Sequence, residues 1–401
     1  MELKNCELLA PAGSMEALKT ALYFGADAVY CGGPLLQLRA ESAGFSFEAL
    51  ETAAALTHAA GKKLYVTVNC FAENAEIEAA GGYARRLLAL GADAVIVSDL
   101  GLMTELRRCC PDLPIHVSTQ ANALNYATVN AYAALGAARV VLGREMTLAQ
   151  IEEMQGSLSP GVELEAFIHG AMCMAYSGRC LLSSFLNHRS GNRGECTQPC
   201  RWNYYLVEEK RQNTLIPVAE NGGATAILSS TDLKCTSFLD RLAGAGISSF
   251  KIEGRMKSPY YVATAVNAYR QLMDGKMTVA EADAELDCAS HRPYGTGFYF
   301  GGAAADPNND GQYRRTCDFI GAVLEDVGGG EYRVEMRNRF AVGDTLEILS
   351  PGSSGLRFRV ERIVGEDGAQ KTDAALVQEK VTLPCPFRLS PGDLLRKRCP
   401  A

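Results

Sequence analysis

Tryptophan occurs once and histidine five times in the 401 residues, and no stretch approaches the roughly 18 uninterrupted apolar residues that a spanning helix needs. A helical membrane protein is therefore not expected. The N-terminus, MELKNCELLAPAG, has no basic segment followed by an apolar one, so it does not read as a secretory signal, and the chain is read as cytoplasmic with no membrane partner. Two catalytic signatures are missing as well: HExxH, the commonest zinc-peptidase arrangement, and the G-x-S-x-G elbow of many hydrolases. There is no overall positive charge to attract nucleic acid, because 39 Lys and Arg stand against 46 Asp and Glu. What is present, 47% hydrophobic and 21% charged residues with a mean hydropathy of -0.03, excludes disordered and fibrous classes and leaves an ordinary globular protein.

Length and a recurring unit indicate the fold. At roughly 150 residues per domain, the chain suits one large and one smaller domain. Gly25-Ala26-Asp27-Ala28-Val29-Tyr30 and Gly91-Ala92-Asp93-Ala94-Val95-Ile96 are near copies, with weaker versions at Gly136 and Gly246. Each closes a helical pattern with glycine and opens a short apolar, β-branched run, the pattern of a buried parallel strand. Such runs fall near 6–10, 27–31, 63–69, 93–98, 114–118, 138–143, 163–169 and 248–253. Eight strand-helix units over this length predict an α/β fold, a (β/α)₈ TIM-like barrel, with a doubly wound sheet as the alternative.

The gap between the seventh and eighth runs is too long for one helix. Ser230-Thr231-Asp232-Leu233 reads as an N-cap opening the seventh helix, which leaves about 170–228 as an insertion on the catalytic face. Beyond helical patterns at 258–274 and 278–287, alternating strands and Gly/Pro turns predict a small antiparallel β-barrel. The expected organisation is a barrel over 1–275, a helical linker over 276–313 and a second domain over 314–401.

Cysteine supplies the chemistry. Of 14 cysteines, Cys173, Cys180, Cys196 and Cys200 crowd into the insertion, and Cys235 follows at a helix start. In a reducing compartment such a cluster points to metal rather than disulfides. Four thiolates complete either a tetrahedral zinc or a cubane iron–sulfur cluster. Only Cys196-x₃-Cys200 has a zinc-like spacing, and the irregular remainder favours iron–sulfur; the bland alternative is a set of buried small hydrophobes. Charge follows the same segment. Residues 1–172 carry 11 Lys and Arg against 19 Asp and Glu, whereas 173–276 carry 13 against 8. Arg179, Arg189, Arg193, Arg201, Lys210 and Arg211 beside Trp202, Tyr204 and Tyr205 could neutralise phosphates and stack an extruded base, or simply cover the cluster.

Strand ends are where barrels concentrate catalytic groups. By that rule Glu7, Asn69, Asp99, Gln120, Arg144, Glu145, Glu165, His169, Glu253 and Arg255 are candidates for the mouth. Glu253 with Arg255 could equally be an internal ion pair, and His169 a satisfied strand-end histidine. A Cys/His dyad of Cys173 with His169 is also conceivable.

The run Glu165-Ala-Phe-Ile-His169-Gly170-Ala-Met-Cys173, continuing through Ser177-Gly178-Arg179-Cys180 and Ser183, resembles the signature of peptidase family U32, the collagenase-like proteases. ELLAPAGS at 7–14, GADAVYCGG at 25–33 and KIEGRMKSPYY at 251–261 resemble the same family, and the tail from about 316 resembles its small C-terminal domain, which brings the chain nearest to the tRNA-hydroxylating, prephenate-dependent branch. The resemblance implies an iron–sulfur enzyme that hydroxylates the wobble uridine of tRNA without molecular oxygen, with prephenate as co-substrate. By position it implies Cys173, Cys180, Cys196 and Cys235 as [4Fe-4S] ligands, with Cys200 as a fifth candidate. Prephenate is a dicarboxylate, so a guanidinium fork at Arg144 or Arg255 would suit it, and Glu165, His169, Glu253 and Arg255 would serve catalysis. Some members act as heteromers, and the residues leave open whether a homologous partner chain is needed. Two other readings compete: a true U32-type peptidase, and a zinc-stapled RNA-binding factor without turnover.

Overall fold

A computed structural model describes residues 2–38, 44–173, 175–202, 205–207, 215–217, 231–301 and 313–399. The eight expected runs all form strands: β1 (Glu7–Pro11), β2 (Ala28–Gly32), β3 (Lys63–Val68), β4 (Ala94–Val97), β5 (Ile115–Val117), β6 (Ala137–Val141), β7 (Glu163–Ala171) and, after three shorter strands, β11 (Ile247–Ile252). They pair in parallel in chain order, and β11 pairs with both β7 and β1, closing the barrel. A doubly wound sheet is thereby excluded.

The repeated Gly-Ala-Asp unit has a physical cause on both sides. Gly25, Gly91, Gly136 and Gly246 all adopt φ between 85° and 99°, ending their helices in the left-handed conformation that glycine reaches without strain. The aspartate then ties neighbouring strands together: Asp27 Oδ2 accepts the Leu8 N–H at 3.0 Å, and Asp93 Oδ2 accepts the Leu64 N–H at 2.7 Å. Helices α1 (Met15–Tyr23), α2 (Phe47–Ala59), α3 (Asn74–Ala89), α4 (Leu100–Cys109), α5 (Tyr126–Ala134) and α6 (Leu148–Met154) connect the strands. Their starts are fixed by side-chain caps such as Ser46, Asn125 and Thr147.

The interval after β7 differs from its expected layout. It carries a short helix α7 (Leu182–Asn187) and a hairpin of β8 (Tyr205–Val207) with β9 (Leu215–Pro217). Asp232 does not open a helix. It lies in β10 (Asp232–Lys234), antiparallel to β7, and its carboxylate is taken by Arg292 at 2.7 Å, so the helix α8 starts only at Leu239–Gly244. A short strand β12 (Tyr294–Gly295) pairs with β10.

By contacts the chain forms two compact units: Met1–Leu22 with Ala26–Lys257 and Arg292–Tyr313, and Tyr23–Gly25 with Ser258–His291 and Arg314–Ala401. Residues 258–291, which the sequence divides between barrel and linker, group with the second unit as helices α9 (Pro259–Met273) and α10 (Val279–Leu286). Its antiparallel sheet contains β13 (Cys317–Gly328), β14 (Glu331–Met336), β16 (Thr345–Ser350), β17 (Ser353–Arg359), β18 (Ile363–Gly365), β19 (Gln370–Lys371), β21 (Lys380–Pro384) and β22 (Leu394–Arg398), in the order β17-β16-β22-β13-β14-β21-β18-β19. A separate small ladder joins β15 (Phe340–Ala341) to β20 (Asp373–Ala374). Alternation along β14, where Tyr332, Val334 and Met336 are buried, feeds one apolar core.

Candidate active site

The barrel interior is layered. Leu9, Ala28, Tyr30, Tyr65, Ala94 and Ile96 form its apolar part. Next to them lies an ionic layer: Arg139 Nη1 is 2.5 Å from Glu7 Oε1 and 3.2 Å from Glu165 Oε2, and Ser249 Oγ donates to both carboxylates. Lys251 Nζ reaches Glu165 Oε1 at 2.7 Å. Burial opposes ionisation of Glu165, yet Lys251 and Arg139 together hold its carboxyl below the ordinary range. His116, edge-on to Tyr65 at 4.7 Å, is pushed well below the usual imidazole value by burial and by Arg139, and stays neutral.

Above this layer opens a cavity of about 190 Å³. Its walls include Tyr30, Asn69, Gln120, Arg144, Phe167, Lys251, Glu253 and Arg255 from the barrel, and Cys173, Cys180, Cys196 and Cys200 from the insertion. The four cysteines have free thiols. Burial, and then the neighbouring Cys173, raise the Cys200 thiol, with Cys196 and Cys180 adding to the effect. Cys235 is fully buried, does not line the cavity, and has its thiol raised by burial. The cavity wall thus brings together Cys173, Cys180, Cys196 and Cys200, while Cys235 is buried outside that wall.

Glycine lets the insertion approach. Gly178 adopts φ +72°, and a Cβ there would stand 2.3 Å from the Gln120 carbonyl oxygen. Ser177 donates its N–H at 2.8 Å and its hydroxyl at 3.3 Å to Glu145, fixing the same loop. Gly13, in the ELLAPAGS motif, lies under the KIEGR motif: a Cβ would meet the Arg255 carbonyl oxygen at 1.7 Å.

Other expected mouth residues are spent elsewhere. Glu7 and Glu165 belong to the ionic layer. Asp99 caps α4, accepting the Leu102 N–H at 2.8 Å. His169 is buried outside the cavity wall with its ring 5.5 Å from that of Tyr294, and no histidine lines the cavity among the described residues, so a Cys173/His169 dyad is not assembled there. Arg255 donates to Gln37, Thr67 and the Leu38 carbonyl at 3.0, 2.9 and 2.6 Å, which makes it a buried strut of the cavity wall rather than an open fork. Arg144 donates to the Ala171 carbonyl at 2.9 Å and lies 4.8 Å over Phe167.

Of the basic and aromatic group, Arg193 is a staple: it binds Glu76 at 3.0 Å and the Phe71 carbonyl at 2.8 Å. Arg201 donates to Gln198 at 2.5 Å and lines the cavity. Tyr176, Leu181, Phe185 and Trp202 are exposed on the same insertion. Tyr204, Lys210, Arg211 and the Tyr205 side chain lie outside the described residues.

Lys251 is the residue that sequence reasoning missed. Ser249, Lys251 and Glu253 alternate with Phe250 and Ile252, and polar side chains at every second position of a barrel strand face the lumen.

A model of peptidase family U32 matches residues 13–309, and one of the peptidase family U32 C-terminal domain matches 315–396. The chain belongs to peptidase family U32. Among its relatives, the Escherichia coli tRNA hydroxylation protein P is 35% identical over 95% of this chain and 94% of its own length. The Bacillus subtilis tRNA hydroxylation protein P1 is 35% identical over 98% of this U32 chain and 95% of its own. A Porphyromonas gingivalis protein named collagenase is 29% identical over 98% of both chains.

Proposed function

We propose that this U32 protein is an RNA-modifying hydroxylase acting on tRNA, at C5 of the wobble uridine, with a [4Fe-4S] cluster and prephenate as the oxygen-donating co-substrate. The observation that carries the reading is a single cavity at the mouth of a (β/α)₈ barrel, where four free thiols face Arg144, Lys251 and Glu253. End-to-end similarity to tRNA hydroxylation proteins supports the substrate class, and the chain has no helix long and apolar enough to cross a membrane among its described residues.

The residues fit the cluster by donor chemistry. Thiolates are the ligands such clusters take, and Cys173, Cys180, Cys196 and Cys200 supply four on one wall. No three His, Cys, Asp or Glu side chains among the described residues converge to hold one ion; cluster ligands bond separate irons and need no common point. When bound, the cluster would supply redox and Lewis-acid chemistry beside the substrate base.

The protein's own groups do the rest. Arg144 and Lys251 offer two cations to a dicarboxylate in a partly enclosed site, where charge-assisted hydrogen bonds are strong. Glu253 is the carboxylate within reach of substrate protons, and Glu165 fixes the position of Lys251 through their 2.7 Å ion pair. Exposed Phe185 and Trp202 offer faces on which an extruded base or its neighbours can stack.

The test is iron, acid-labile sulfide and a visible spectrum on anaerobically purified protein, together with mass spectrometry of tRNA from a deletion strain. About four irons and four sulfides per chain, with 5-hydroxyuridine lost on deletion, are expected. A colourless protein with one zinc, or an iron-free protein that cleaves peptides, overturns the reading in favour of an RNA-binding factor or a peptidase respectively.

A further inference from the structure

A second cavity, of about 420 Å³, lies wholly within the second unit, between α9, α10, the β16–β17 turn and β22. Its wall is polar. Glu285 gives both oxygens to Arg396 at 2.6 and 2.7 Å, and Glu281 caps α10 by accepting the Thr278 N–H and hydroxyl at 2.8 and 2.7 Å. The acidic groups of the wall are therefore already used. The donors are not. Gln271 is 5% exposed, and its buried Nε2 has no hydrogen-bond partner, an expensive state for a polar atom out of water. Lys276 stands at the rim with its side chain 65% exposed and its Nζ 3.4 Å from Asp274, and the hydroxyl-bearing Ser353 and Ser354 form the turn opposite.

The turn itself is held by the helix. Asn267 accepts the Gly352 N–H at 2.9 Å and donates to the Ser353 carbonyl at 3.3 Å, so the serines are presented by fixed backbone. Arg398 also lines the cavity, anchored to Glu347 at 3.1 Å while its side chain remains 41% exposed. A wall with spent acceptors, an unspent buried amide donor and rim cations calls for a ligand made of acceptor oxygens and negative charge.

We propose that this cavity is an anion site for a phosphate group, separate from the barrel cavity. Its volume exceeds that of one inorganic phosphate, which suits a phosphate carried on a larger molecule, either an RNA backbone phosphodiester or a free nucleotide. The site does not depend on the hydroxylase reading, because it is read by anion occupancy rather than turnover.

The experiment uses the full chain. Inorganic phosphate and uridine monophosphate are titrated against wild type, Lys276→Met and Gln271→Leu by thermal unfolding and by ³¹P NMR, and tRNA binding is measured against salt concentration. Lys276 is exposed, so its variant reports even where Gln271→Leu fails to fold. Expected are a ligand-dependent rise in melting temperature in wild type and an affinity loss of about tenfold in Lys276→Met, as for a charged hydrogen bond. A tRNA salt slope lowered by about one in that variant assigns the phosphate to RNA, and an unchanged slope with lost nucleotide binding assigns it to a free nucleotide. If Lys276→Met alters neither small-anion binding nor the salt slope, the cavity is not a phosphate site.

Discussion

Lys251 and Glu165 form an ion pair at 2.7 Å with both side chains almost entirely out of water, Lys251 at 5% and Glu165 at 0% exposure. The pair joins the ionic layer to the cavity, because Glu165 also holds Arg139 while Lys251 faces the substrate space. Removing one partner of such a pair leaves a buried charge undercompensated, so Glu165→Gln should cost roughly 3 kcal/mol of stability at pH 7, measured by urea unfolding. Glu165 is depressed in the folded state, so its contribution is present above the unfolded value of about 4.3 and is lost as pH falls through the lower folded value. The gap between wild type and Glu165→Gln should begin to narrow below about pH 4 and close as pH falls through the lower folded value. A double variant with Lys251→Met should lose less than the sum of the two single losses, by roughly 1–3 kcal/mol.

The cavity wall separates two cysteines that sequence spacing could not rank. Cys200 lies among Cys173, Cys180 and Cys196, and Cys235 is packed in the protein interior. Cys200→Ser should therefore lower the iron content about as far as Cys173→Ser does. Cys235→Ser should keep iron and visible absorption within error of wild type. Iron loss in Cys235→Ser with retention in Cys200→Ser would reverse the assignment of the fourth ligand.

How much was legible depended on whether the controlling contact was local. The barrel could be read because Gly25-Ala26-Asp27 and Gly91-Ala92-Asp93 encode a helix stop and a strand tie within a few residues. Four cysteines could be placed at one mouth because they follow a single strand. Asp99 and Asp232 misled for opposite reasons. A polar residue at a strand end is equally a helix cap, which is what Asp99 became. Asp232 looked like a cap, but its partner Arg292 lies 60 residues on and is invisible to local pattern. Lys251 was missed because KIEGR draws attention to Glu253 and Arg255, although alternation from Ser249 marks the lumen face. The phosphate-competent arginines were overcounted, since nothing in the sequence shows that Arg193 is committed to Glu76.

That commitment makes Arg193 a test of what the insertion's cations do. Arg193→Ala removes the bonds to Glu76 and to the Phe71 carbonyl, which anchor the 190–200 segment to the barrel. Limited proteolysis within 175–202 should accelerate, while the salt dependence of tRNA binding keeps its slope. A slope reduced by about one would instead mean that Arg193 meets phosphate.

Gly178 links the same loop to the barrel from the other side. At φ +72° an alanine is strained whatever the space, and its methyl would also stand 2.3 Å from the Gln120 carbonyl oxygen, a distance that only backbone movement can relieve. The cost is local: the loop must lift, breaking the Ser177 bonds to Glu145 and shifting Cys173 and Cys180 relative to the barrel wall. Gly178→Ala should therefore keep the barrel's melting temperature within a few degrees while iron retention and tRNA hydroxylation fall at least roughly tenfold, equivalent to the low end of a 1–3 kcal/mol strain. Equal loss of barrel stability and activity would show that the loop is part of the folding core rather than a separately positioned wall of the site.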